Sequence, residues 1–189
     1  MTRHSLLTLI FIIILSSTTH SQNFNLITSK IFFKIGLKKY DTTVISDIIA
    51  RPELSLKKDT GWNVYPPTDE KGNPIPFFTF SFSDHPYFTS HFNTGRLMVM
   101  TNETSDSIIG MSLWLSFNST KAFNSRYKKI KKLYSKYSSK KIERPNIAQP
   151  FEVTKYLSKA DNDYIIITKG ESDKKHYIHI AYNYQGYEW

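Results

Sequence analysis

The chain of 189 residues contains no cysteine. This absence excludes disulfides, thiolate metal sites, a cysteine nucleophile and a lipid-modified cysteine. The chain has only seven glycines, and none of them belongs to a glycine-rich loop of the kind that binds phosphates or a dinucleotide. The Gly-x-Ser-x-Gly turn of many serine hydrolases is also missing. The sequence therefore lacks the motifs of several large enzyme classes.

Long hydrophobic runs are also missing, apart from one at the N-terminus. Arg3 and His4 precede the apolar residues 6–15, and the small polar stretch SSTTHSQ follows them. This order is typical of a secretory signal peptide, and the run is shorter than the roughly 20 apolar residues of a membrane-spanning helix. We predict a signal peptide over residues 1–21, and a mature chain, 22–189, that is secreted or periplasmic and has no transmembrane segment. An uncleaved anchor is the alternative.

Acidic residues are almost absent from residues 121–144. This segment contains ten Lys or Arg residues and a single acid, Glu143. The rest of the predicted mature chain contains 14 bases and 15 acids, so the excess positive charge lies in this one segment. Two interpretations remain open: a solvated helix face enriched in lysine by an AT-rich genome, or a surface for an anionic partner.

The same segment has the periodicity of an amphipathic helix, which we expect from Ser119 to Ser138 with Asn118 or Ser119 as its N-cap. At 100° per residue its apolar residues form one stripe, with Leu133 beside it: Phe123, Tyr127, Ile130, Tyr134 and Tyr137. Six lysines fall on the opposite side and are the candidate partner-binding residues: Lys121, Lys128, Lys129, Lys132, Lys136 and Lys140.

The predicted partner of this lysine-rich face is an acidic protein or an anionic component of the cell envelope. Nucleic acid is disfavoured because the chain is predicted to be exported, and because the aromatic residues are expected to face the core and not to stack on bases. Lysine outnumbers arginine in the segment. Since bidentate recognition of phosphate or carboxylate favours arginine, we expect diffuse electrostatic binding.

Strand patterns dominate the rest of the chain. In residues 77–84, Phe78, Phe80 and Phe82 alternate with hydroxyl residues, which predicts a strand with one aromatic face. The runs GRLMVMTN and IIGMSLWLSF predict one antiparallel hairpin, and NDYIIITKG and HYIHIAYNY predict a second. The predicted fold is therefore α+β: a single two-layer domain with a mainly antiparallel sheet of about five to six strands and one long amphipathic helix packed on it.

Shorter segments are less distinct. Residues 23–35 are predicted to be helical, with a break at Gly36, although their Ile and Phe content also fits a strand. Asp41 is a plausible N-cap for a second short helix. Residues 62–65 suggest a short strand, and residues 143–150 suggest a linker. Residues 150–158 fit either a helix or a strand.

Catalytic and metal sites have little support in the sequence. Asp84, His85 and His91 form the strongest metal candidate, since two histidines and a carboxylate suit zinc, but their spacing matches no established motif. His176 and His179 lie three positions apart in a predicted strand, so they should point to opposite faces. We predict no catalytic residues, cofactor or metal. A small exported hydrolase or metal-dependent enzyme that uses the Asp84–His91 loop is the alternative function.

Overall fold

The computed structural model describes residues 24–35, 50, 57–58, 66–69, 71–85, 87–88, 92–102, 107–145, 152–158, 163–172 and 175–183. Four predictions lie outside these ranges: the signal peptide, the helix that begins near Asp41, the strand at 62–65, and the placement of His91. Within the described residues, no helix is long and apolar enough to cross a membrane.

Eight strands and two helices are present in the described part of the chain. The helices are α1, residues 24–31, and α2, Thr120–Tyr137. The strands are β1 Lys57–Lys58, β2 Phe77–Phe82, β3 Thr94–Thr101, β4 Ile108–Phe117, β5 Ser138–Pro145, β6 Glu152–Ser158, β7 Tyr164–Ser172 and β8 Lys175–Tyr182.

The strands form one sheet in the order β1-β2-β3-β4-β8-β7-β6-β5, and every neighbouring pair is antiparallel. Both predicted hairpins, β3–β4 and β7–β8, are confirmed. Pairing between β4 and β8 joins the two hairpins across the middle of the sheet. Six strands, β2 to β4 and β6 to β8, make up the main body. The short β1 and the strand β5 extend it at the two edges.

The sheet register builds the core on one face. Leu97 pairs with Leu113, Leu113 with Ile180, and Ile180 with Ile167, so a continuous row of aliphatic side chains crosses four strands. All four are completely buried. The aromatic strand prediction is also confirmed, since Phe80 and Phe82 are buried in β2 and Phe78 packs against the same core.

Close packing at β2 and β3 needs a glycine. Gly95 pairs with Phe82 across the two strands, and the Phe82 ring lies over the glycine. A Cβ atom at position 95 would come within 2.0 Å of that ring. This one glycine therefore has a packing function in the core, where a larger residue would displace the aromatic side chain.

Helix α1 lies in the core beside α2. The Phe24 ring contacts the Tyr134 ring edge-on at 5.4 Å, and Thr28 Oγ1 hydrogen-bonds to the Tyr134 hydroxyl at 3.2 Å. The predicted helix is confirmed over 24–31, but it ends before Gly36. Phe33 and Lys34 both have φ of 57°, in the left-handed region that terminates helices.

The structure corrects the prediction for residues 138–145. The helix was predicted to end at Ser138, with Lys140 on its lysine face, and residues 143–150 were predicted to be a linker. Ser138–Pro145 instead form β5, which pairs with β6. The helix ends at Tyr137, where Ser138 adopts an extended conformation with ψ of 152°. Within residues 150–158, which fit either a helix or a strand, Glu152–Ser158 form the strand β6.

Candidate functional site

Helix α2 begins at a capped N-terminus. Ser119 has an extended backbone, and its Oγ accepts a hydrogen bond from the backbone N–H of Ala122 at 3.3 Å. This contact satisfies one of the free N–H groups of the first turn. No acidic residue lies in that turn, although the helix dipole would favour one there, whereas Lys136 lies in the last turn, where a cation is favoured.

The inner side of α2 packs on the sheet as its periodicity predicts. Phe123, Tyr127, Ile130 and Tyr134 are buried. The Phe123 ring contacts Phe117 of β4, and the Tyr134 ring stacks on Tyr156 of β6 at 5.8 Å. Burial raises the pKa of the Tyr134 hydroxyl well above its usual value, which keeps this group neutral. The aromatic side chains of α2 are therefore core residues.

Five lysines of α2 are exposed on its outer side. We call Lys121, Lys128, Lys129, Lys132 and Lys136 the lysine strip. Residues four positions apart are separated by ~6 Å along the axis, and the strip is ~22 Å long. The sixth predicted binding residue, Lys140, lies on β5 and not on the helix, so it is not part of the strip.

Among the described residues, the lysines of the strip make few contacts with other side chains. Lys129 Nζ lies 5.8 Å from the centre of the Tyr87 ring, and Lys136 Nζ lies 5.2 Å from that of Tyr137. In the part of the chain that the structure describes, no carboxylate pairs with Lys121, Lys128 or Lys132. All three side chains are exposed, and no described acidic residue compensates their charge.

Lys131, next to Lys132 of the strip, does pair with a carboxylate. Lys131 is at the border between the two sides of α2, and its Nζ forms a 2.5 Å ion pair with Glu152 of β6. Its ammonium also lies 5.1 Å from the centre of the Tyr127 ring. Lys131 therefore helps to attach α2 to the sheet. The bases of the helix thus divide into those that stabilise packing and those of the strip.

Of the three weak metal candidates, the structure describes Asp84 and His85, while His91 lies outside the described residues. His85 makes hydrogen bonds within the protein. His85 is buried, and its Nε2 donates a hydrogen bond to the Ile31 carbonyl at 2.8 Å. Its Nδ1 accepts hydrogen bonds from the backbone N–H groups of Tyr87 and Phe88 at 3.0 and 3.2 Å. Both ring nitrogens are thus engaged within the protein. The Asp84 carboxylate is exposed and accepts a hydrogen bond from the His85 N–H.

His85 positions the loop that contacts α2. Through the contacts of its ring it joins α1 to the loop containing Tyr87 and Phe88, whose rings lie against Lys129 and Arg126 of α2. Burial lowers its pKa to about 4, so the ring is neutral at physiological pH. Among the described residues, no three histidine, aspartate or glutamate side chains are grouped as metal ligands.

The prediction for the two histidines of β8 is confirmed: they lie on opposite faces of the sheet. His176 Nε2 hydrogen-bonds to Thr120 Oγ1 at 2.8 Å, and its ring stacks on Phe123, so it faces α2. His179 stacks on Trp114 of β4 with 4.0 Å between ring centres. Burial lowers the pKa of His179 to about 3, so its ring is also neutral.

The structure also brings together a serine and a histidine that the sequence does not connect. Ser112 Oγ lies 2.5 Å from His179 Nε2 and accepts a hydrogen bond from Trp114 Nε1 at 3.1 Å. Serine and histidine at this distance could form a nucleophile and base. Both side chains are only 1% exposed, however, and Trp114 covers the imidazole. The arrangement is that of a satisfied polar cluster in the sheet.

Comparisons with known proteins add no assignment. No family model matches this sequence, and neither the curated proteins nor the solved structures include a significant match.

Proposed function

We propose that this chain is an exported, non-enzymatic protein that binds an acidic protein or an anionic component of the cell envelope through the lysine strip of α2. In this proposal a signal peptide over residues 1–21 is removed, and residues 22–189 form a single two-layer α+β domain. The mature protein is then secreted or periplasmic.

The observation that carries the proposal is the lack of compensation along the strip. Lys128, Lys132 and Lys136 follow one another at four-residue spacing, and α2 contains no acidic residue. Like charges at this spacing destabilise a helix by about 0.2–0.5 kcal/mol per pair. A face that served only for solubility would gain stability from glutamates among the lysines. The helix instead keeps an arrangement that favours an external anion.

The burial of the aromatic residues supports electrostatic binding without base stacking. The large rings of α2 are on its inner side. The strip consists of lysines, whose flexible ammonium groups suit diffuse attraction better than bidentate recognition. The alternative of an enzyme that uses the Asp84–His91 loop has less support, because both ring nitrogens of His85 hydrogen-bond within the protein.

A pull-down from the envelope and medium of the producing cell tests the proposal. The natural protein is compared with Lys128→Glu plus Lys132→Glu, and with Lys71→Glu plus Lys175→Glu. All four residues are exposed, so the two variants change net charge equally and keep the buried side of α2 intact. We expect a partner that the natural protein and the second variant retain at low salt, and that the first variant loses.

High salt should release that partner from the natural protein, because ions screen attraction between exposed charges. If all three proteins recover the same molecules at low salt, the strip is only a solvated helix face and the proposed function is wrong.

A further inference from the structure

We propose that the anionic partner is the headgroup surface of a phospholipid bilayer, and that α2 lies along this surface with the lysine strip towards the headgroups. This inference depends on the proposed function above and makes its partner specific. It follows from the shape of the strip, from the absence of apolar anchors on it, and from the type and number of its charges.

The strip lies on the side of the helix that faces away from the core. At 100° per residue, its five lysines fall within an arc of about 100° that is centred opposite the buried residues Phe123, Tyr127, Ile130 and Tyr134. The strip is therefore a convex ridge. A flat surface can contact all five ammonium groups along such a ridge at once, whereas a small anion needs a concave site with several converging groups.

A cavity of about 550 Å³ lies at the start of α2 and is lined by Asn118, Ser119 and Lys121, among others. Lys121 is the only member of the strip in its lining. The remaining four lysines face open solvent.

A protein partner fits this surface less well than a membrane. Protein interfaces normally contain a desolvated centre of aromatic and apolar residues. On α2 such residues belong to the core, and among the described residues the only exposed large apolar side chain is Leu26 of α1. Electrostatic binding to anionic lipids needs no apolar centre, and clusters of four to eight basic residues on a helix are typical of it.

The core contacts of α2 also limit the mode of binding. Because its apolar side packs on the sheet, the helix cannot insert that side between lipid chains, as interfacial helices do. Binding must then be peripheral, reversible and strongly dependent on salt, since it consists of attraction between exposed charges. Each lysine near an anionic membrane surface contributes roughly fivefold in affinity.

Vesicle flotation tests the inference. The full chain is expressed with its own N-terminus and mixed with vesicles of phosphatidylcholine alone, or of phosphatidylcholine with phosphatidylglycerol. The neutral vesicles measure any binding that the apolar residues 6–15 cause. The variants are Lys128→Gln plus Lys132→Gln, and the matched control Lys71→Gln plus Lys175→Gln. A parallel experiment measures binding of the same proteins to immobilised polyglutamate.

We expect the natural protein and the control variant to bind the anionic vesicles more strongly than the neutral ones. The strip variant should bind the anionic vesicles roughly 25-fold more weakly, because each of the two lysines contributes about fivefold.

Other results separate the two proposals. If the strip mediates binding to polyglutamate while anionic vesicles stay unbound, the membrane inference is wrong and the proposed function survives. If neither anionic probe is bound, or if the strip and control variants lose binding equally, both proposals are wrong.

Discussion

The two sides of α2 differ in how completely their side chains are paired. On the inner side, the Tyr134 hydroxyl hydrogen-bonds to Thr28, and Ile130 is completely buried. On the outer side, Lys128 and Lys132 have no carboxylate partner among the described residues. The inner side is thus arranged for stability. Repulsion between like charges on the outer side is expected to reduce stability slightly, and this contrast is the reason to propose a binding function for it.

The largest expected difference between the two sides comes from truncating a buried residue. Ile130→Ala removes a completely buried side chain between α2 and the sheet, and we expect it to lower the free energy of unfolding by about 2–5 kcal/mol. Lys132→Ala, two residues away on the outer side, should change it by less than about 0.5 kcal/mol. Urea denaturation of both variants measures the difference. An equal loss of unfolding free energy in the two variants would show that the two sides of α2 do not differ in their contribution to stability.

Acid should destabilise the protein through two buried histidines. Burial lowers the pKa of His85 to about 4 and that of His179 to about 3, from an unfolded value near 6.5. At pH values between the folded pKa of each histidine and about 6.5, the unfolded chain binds more protons than the folded protein. The free energy of unfolding therefore falls as the pH falls below about 6.5. Together the two residues should reduce the free energy of unfolding by about 4 kcal/mol from pH 7 to pH 5.

Denaturant unfolding at several pH values checks this prediction, with His179→Asn as the comparison. The substitution should reduce the pH dependence by about half, because one of the two neutral histidines is removed. An unchanged pH dependence would mean that His179 does not stay neutral in the folded protein.

Local patterns in the sequence were sufficient to predict both sides of α2. The spacing of Phe123, Tyr127, Ile130 and Tyr134 defines the buried side, and Ser119 marks the start of the helix. The hairpins β3–β4 and β7–β8 could be predicted in the same way, because each consists of two strand patterns separated by a short polar turn. In both cases the deciding interactions lie between residues that are close in the sequence.

Interactions between distant residues could not be predicted in the same way. Ser112 meets His179 because β4 pairs with β8, and no local pattern determines that pairing. The ring of His85 contacts a carbonyl 54 positions earlier in the chain. β5 lacks an alternating pattern and is a strand because β6 offers it a hydrogen-bonding edge, which is why Lys140 was assigned wrongly to the helix.

The smallest expected effect tests the central claim most directly. Lys128→Gln plus Lys132→Gln should raise the free energy of unfolding by a few tenths of a kcal/mol, up to about 1 kcal/mol, because repulsion along the strip is relieved. The same variant should lose retention on anionic vesicles or polyglutamate. Denaturant unfolding and binding to anionic vesicles or polyglutamate are measured on the same preparation. Increased stability with lost binding supports a surface kept for an anionic partner, and decreased stability with unchanged binding would contradict it.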